Sequence, residues 1–158
     1  MKTNKNISSL LQHVTSLLAK HLDQVLQEQL GIGLAQFRIL QELQTSPQVK
    51  QKDIAFNLGQ TEASISRQVK LMIKLGLLAS SIDSENKRIH ITMLTQKGTR
   101  LTEAAEGVIG KFSTPALSVL SSKQREQFTT ALETVHKHIC YSSHPKHVNK
   151  TKKLRKIA

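Results

Sequence analysis

The chain has 158 residues, a length typical of one domain, and its 38% hydrophobic residues are enough for a core, which excludes disorder throughout. The formal net charge of +12 favours a polyanionic partner, with nucleic acid first. Without an apolar run of about 18 residues or an apolar signal core, a membrane span and export are not expected, so the sequence predicts a cytoplasmic protein. A single cysteine, Cys140, excludes an internal disulfide.

The first predicted element is a long amphipathic helix that begins at Ile7 and ends at Gly31 and Gly33. Its apolar residues recur every three or four positions: Leu10, Leu11, Val14, Leu17, Leu18, Leu22, Val25 and Leu26. So broad an apolar stripe has to be buried, and a second subunit is the expected surface. Residues 1–33 are therefore predicted to be an N-terminal dimerisation helix.

The middle of the chain, residues 34–98, has the pattern of a winged helix-turn-helix lobe. A helix over 35–43 and a turn at 45–47 precede a two-turn helix over 50–58. Gly59 supplies a left-handed residue, and Thr61 caps the next helix, residues 62–75. After Gly76 the apolar period shortens to two, which predicts two strands, 78–82 and about 89–93, joined by a hairpin tip.

The C-terminal part is predicted to be helical as far as residue 141. A helix over about 95–120 is expected to bend because it contains Gly107, Gly110 and Pro115. Ser121 and Gln124 form a capping box for a last helix, whose apolar face comprises Phe128, Leu132, Val135 and Ile139. Residues 99–141 are thus assigned to C-terminal dimerisation helices, and the basic tail 142–158 is expected to be disordered alone. The fold class is mainly α with a small β-wing.

Candidate DNA contacts lie on the helix over 62–75 and on the hairpin. Ile65, Val69 and Met72 share one side of that helix. The opposite side and its flanks carry the residues expected to face a major groove: Ala63, Ser64, Ser66, Arg67, Lys70 and Lys74. We expect Arg67 to pair with guanine and Lys70 and Lys74 to meet phosphates, whereas Lys87 and Arg88 at the wing reach the minor groove. The alternative to DNA binding is that these cations are simply the solvated face of a helix. The position of this helix between a two-turn helix and a basic hairpin favours DNA binding.

These residues resemble the MarR family of winged-helix transcriptional regulators. The similarity runs, in order and spacing, through short segments that together are specific: Ala35-Gln36-Phe37, Ile39-Leu40, Lys52-Asp53-Ile54-Ala55, Leu58-Gly59, Ser66-Arg67, Val69-Lys70, Gly76-Leu77-Leu78, Leu94-Thr95 and Lys97-Gly98. The resemblance implies a homodimer whose terminal helices intertwine, a palindromic operator with half-sites about one helical turn apart, and usually repression. The chain departs from the family's usual pattern at Asn86, where an acidic residue is common, and at Ile73 and Leu75, which are commonly polar.

The resemblance also implies release from DNA by a small, often phenolic, effector. A pocket near Leu18, His21 and Phe37 is the expected place, although a hydrogen-bonded core histidine is the favoured interpretation of His21. His136, Cys140, His144 and His147 have spacings that suit a soft metal, but Pro145 interrupts the helix, so no metal site and no cofactor are predicted.

Two other classes of function compete with sequence-specific regulation. Catalytic motifs are missing from the sequence, so an enzyme is not expected. A winged-helix protein that binds DNA without sequence preference, or that serves as a protein-interaction module, stays open as the alternative. Single-strand binding is disfavoured because Phe37, Phe56, Phe112 and Phe128 are all expected to be buried, which leaves no aromatic platform.

Overall fold

The computed structural model describes residues 3–47, 49–82 and 90–143. Within these ranges the elements follow in the order α1 Thr3–Leu30, α2 Leu34–Thr45, β1 Val49–Lys50, α3 Gln51–Asn57, α4 Glu62–Lys74, β2 Leu78–Ile82, β3 His90–Leu94, α5 Gln96–Ser118 and α6 Ser122–Ser143. The mainly helical fold with a small β-sheet is confirmed. The chain divides into two compact units, Met1–Phe112 and Ser113–Ala158.

The core of the first unit is formed by α2, α3, α4 and the sheet, with the C-terminal end of α1. Ile39, Leu40, Ile54, Ile65 and Val69 are all completely buried there. Ile65 and Val69 come from the side of α4 that the helical period predicted. The winged lobe therefore holds its helices together by packing within one chain.

Helix α1 joins this core only at its C-terminal end. Leu26 is buried, whereas Ile7, Leu10 and Val14 on the N-terminal half are exposed. The carboxylate of Asp23 then accepts a 2.7 Å hydrogen bond from the backbone N–H of Leu34, the first residue of α2. A negative charge at a helix N-terminus is favourable, so this bond fixes α2 against α1.

The sheet has three strands in the order β1-β3-β2, so the expectation of two strands was incomplete. β1 pairs antiparallel with β3 through Val49 opposite Thr92 and Lys50 opposite Ile91. Lys50 thus ends a strand, and the helix predicted to start there begins one residue later. On β3 the buried residue is Thr92, while Ile91 and Met93 are only half-buried.

The end of α4 is tied to the start of α5 by hydrogen bonds to three successive carbonyls. Lys97 Nζ donates to the Leu75 carbonyl at 2.8 Å, and Thr95 Oγ1 donates to the Gly76 carbonyl at 2.7 Å and to the Leu77 carbonyl at 3.1 Å. A Cβ atom on Gly98 would lie 2.1 Å from the Leu77 carbonyl oxygen, so only glycine permits this close approach. We call this set of contacts the α4–α5 clasp.

In the second unit, α6 begins at the capping box that the sequence predicted. The Ser121 N–H donates to Gln124 Oε1 at 2.9 Å, and the Gln124 N–H donates to Ser121 Oγ at 3.3 Å. The apolar face of α6 is exposed, as Phe128, Leu132, Val135 and Ile139 show.

No helix in the described ranges has an apolar stretch long enough to cross a membrane.

Candidate nucleic-acid interface

The turn between α3 and α4 fixes the direction of α4. The N–H groups of Leu58, Gly59 and Gln60 donate to carbonyls of α3 at 2.8–3.1 Å, and Gly59 has the left-handed φ of 62° that the sequence predicted. Thr61 Oγ1 then accepts a 3.2 Å hydrogen bond from the Ser64 N–H and caps α4. The turn thus satisfies the backbone groups that end one helix and begin the next.

Helix α4 has one completely buried side and one basic exposed side. Ile65, Val69 and Met72 are 0% exposed, which locks the helix onto the lobe. On the opposite side Arg67, Lys70 and Lys74 are all exposed, and no carboxylate in the described part of the chain forms an ion pair with any of them. Three positive charges therefore face outward from a helix whose position is fixed.

The smaller predicted contact residues lie at the first turns of α4. Ala63 is exposed, and Ser64 and Ser66 are half-buried on either flank. Ser64 Oγ donates to Gln60 Oε1 at 3.3 Å, so its hydroxyl is engaged with the turn. The structure thus gathers Ala63, Arg67, Lys70 and Lys74 on one exposed side, with the two serines at its edges.

The remaining predicted residues fall in different places. Lys87 and Arg88 lie outside the described residues, so their role stays a prediction. Of the suggested effector contacts, Leu18 is half-buried and Phe37 is buried. The favoured interpretation of His21 as a core histidine was wrong for the single chain, because His21 is exposed and its ring lies 5.9 Å from that of Phe112.

A cavity of about 420 Å³ lies elsewhere in the first unit, beside the α4–α5 clasp. Its wall is mostly aliphatic, with two cations at one side: Leu30, Gly31, Ile32, Leu75, Leu77, Lys97, Arg100, Leu101 and Ala104. None of Leu18, His21 and Phe37 lines it. The hydropathy pattern did not reveal this cavity, because it depends on where three helix ends meet.

No group of three histidine, cysteine or acidic side chains in the described part of the chain is placed to hold a metal ion. His144, His147 and the side chain of Cys140 lie outside that part, so the absence of a metal site there stays a prediction.

The expectation that all four phenylalanines are buried was wrong in part. Phe37 is buried and Phe112 is half-buried, but Phe56 and Phe128 are 39% and 46% exposed. Leu71 of α4 is a further exposed residue that was not predicted, with 46% of its surface exposed one turn after Arg67. The helical period places Leu71 between the basic side and the buried side of α4, and this position could have identified it as a candidate contact residue.

The winged lobe matches a known family model. Residues 30–89, from the end of α1 to the segment between β2 and β3, match the model described as "MarR family". The chain is 26% identical over 117 residues to the HTH-type transcriptional regulator BilQ of Clostridium symbiosum, covering 72% of this chain and 80% of BilQ.

Solved structures agree with this match over most of the chain. The crystal structure of a Staphylococcus aureus MepR–DNA complex superimposes with a TM-score of 0.73 at 26% identity, covering 83% of this chain and 96% of MepR. The chain is therefore similar to MarR-family regulators, in the sequence of its winged lobe and in its fold. A MarR-like regulator from Bacillus cereus, at 21% identity and a TM-score of 0.77 over 87% of this chain and 99% of its own, has the same fold.

The relatives described above are transcriptional regulators, not enzymes. In MarR-family terms, α3 and α4 form the helix-turn-helix, and β2 and β3 are the strands of the wing.

Proposed function

We propose that this protein is a transcriptional repressor that acts in the cytoplasm and binds a palindromic DNA operator as a homodimer. The observation that carries the proposal is the exposed side of α4, where Arg67, Lys70 and Lys74 point away from a completely buried opposite side. A rigid basic helix after a tight turn has the geometry that enters a major groove. The similar MepR has been crystallised with DNA, which supports the same partner here.

Within this proposal, Arg67 contacts a base and the two lysines contact phosphates. An arginine pairs bidentately with the O6 and N7 atoms of guanine, whereas lysine acts as a point charge toward the backbone. Lys87 and Arg88 extend the contact to the minor groove beside the wing. The apolar residues of α1 that are exposed in the first unit supply surface for a second copy of the chain, and so do those of α6 that are exposed in the second unit.

The test is binding to the DNA that flanks the protein's own gene, located by footprinting. Arg67→Ala is expected to weaken operator binding by about 1 to 3 kcal/mol while binding to random duplex changes little, because a base contact discriminates between sequences. Arg38→Ala is the matched control, since it removes one exposed positive charge from α2. Equal losses on operator and random duplex for Arg67→Ala would instead favour binding without sequence preference.

We further propose that a small phenolic effector releases the protein from DNA. The cavity beside the α4–α5 clasp supports this part, because a ligand there competes with the Leu75 carbonyl for Lys97. The pocket near Leu18, His21 and Phe37 is the second candidate. Phenolic compounds added to the operator-binding assay test whether release occurs.

A further inference from the structure

The exposed side of α4 contains apolar side chains among its cations. Ala63, Arg67 and Leu71 are four residues apart, so they form one row along successive turns of the helix, and all three are exposed. Leu71 is a large aliphatic residue with 46% of its surface exposed. The row therefore alternates between an apolar group, a guanidinium and a second apolar group.

Leu71 needs an apolar partner if this side of α4 enters a DNA groove. Docking of the leucine against phosphate oxygens or polar base edges would take water from those polar groups without giving them a hydrogen bond, which costs free energy. The C5-methyl group of thymine is the apolar group that base pairs display in the major groove. The neighbouring cations Arg67, Lys70 and Lys74 favour a polyanion over an apolar protein surface as the occupant.

We infer that Leu71 and Ala63 contact the C5-methyl groups of thymines on either side of the guanine contacted by Arg67. This inference rests on the proposed function and adds a sequence requirement to it. Four residues of α-helix rise about 6 Å, and base pairs are stacked about 3.4 Å apart along a strand. Each half-site should thus contain a thymine about two base pairs before the guanine and another about two base pairs after it.

Ile73 provides a matched control on the same helix. It is 36% exposed and aliphatic like Leu71, but two residues further along the chain, which places it about 160° around the helix axis. A contact that belongs to the row of Ala63, Arg67 and Leu71 is therefore lost in Leu71→Ala and kept in Ile73→Ala.

The experiment uses the full chain and an operator selected from a pool of random duplexes. Replacing guanines one at a time by 7-deazaguanine, with wild type and Arg67→Ala, locates the guanine that Arg67 contacts. Thymines are then replaced by deoxyuridine, which lacks only the methyl group. We expect wild type to bind the uracil duplex about fourfold more weakly at one position on each side of that guanine, the effect of losing one buried methyl-sized group.

At one of these two positions Leu71→Ala should bind the thymine and uracil duplexes equally, whereas Ile73→Ala and the conservative Leu71→Met should keep the wild-type ratio there. The inference is overturned if Leu71→Ala keeps that ratio, or if wild type prefers its operator and ignores every thymine methyl group. A wild-type chain with no preference among duplexes contradicts the proposed function itself, and the inference with it. The two failures are therefore distinguishable.

Discussion

Helices α4 and α1 are both amphipathic, but only α4 buries its apolar side within its own chain. Ile65, Val69 and Met72 of α4 are 0% exposed, whereas Ile7 and Leu10 of α1 are 60% and 59% exposed. A wide apolar stripe left in water is unfavourable, so α1 has surface that a partner can cover. One chain therefore suffices to position the basic side of α4, whereas the exposed side of α1 would be covered only in the proposed dimer.

The largest expected effect is on assembly. Leu10→Asp combined with Val14→Asp puts carboxylates into the apolar face of α1, and burying them in a symmetric interface costs on the order of several kcal/mol. We expect a monomer by sedimentation equilibrium at micromolar concentration. Operator affinity should fall by about 100-fold or more, because the two half-sites are then bound separately.

Gln12→Asp combined with Ser16→Asp is the control for this prediction, since both residues are exposed on the other side of α1 and the added charge is the same. A Leu10→Asp/Val14→Asp protein that still forms dimers would show that α1 does not provide the interface.

The next effect is on the stability of the lobe. Ile65→Ala removes a completely buried side chain of α4 and should lower the free energy of unfolding by about 2 to 5 kcal/mol, measured by urea denaturation. Leu71→Ala on the same helix should change it by less than about 0.5 kcal/mol, because Leu71 is exposed. Similar losses for both variants would mean that α4 is not buried on one side only.

The smallest effect concerns the start of α4. Thr61→Ala removes the side-chain cap on the Ser64 N–H and should cost about 1 kcal/mol in the same denaturation experiment. Thr61→Ser retains the hydroxyl and should stay close to wild type. An unchanged Thr61→Ala protein would show that the turn holds α4 without the cap.

Local patterns predicted the helices and the buried and exposed sides of α4 well. The buried side of α4, the left-handed Gly59 and the Ser121 capping box each depend on residues within about one turn, and all are found as expected. The MarR-family resemblance rested on the same segments. The bounds of most helices agree within a few residues because caps and glycines mark them.

The incorrect expectations all depended on distant contacts. β1 has only two residues, too few to show a period, and it exists because β3 offers it hydrogen-bonding partners. Phe56 and His21 are exposed although their residue types and helical positions suggested burial, since burial depends on which element lies opposite. The cavity beside the α4–α5 clasp likewise depends on residues that are far apart in the chain.

The α4–α5 clasp makes the direction of α4 depend on residues that lie beyond the sheet in the chain. The last turn of α4 is anchored through Lys97, Thr95 and Gly98, all of which follow β3 in the chain. The direction of α4 is thus held in part by residues that come after the sheet, so a change at the start of α5 can alter how α4 meets a duplex.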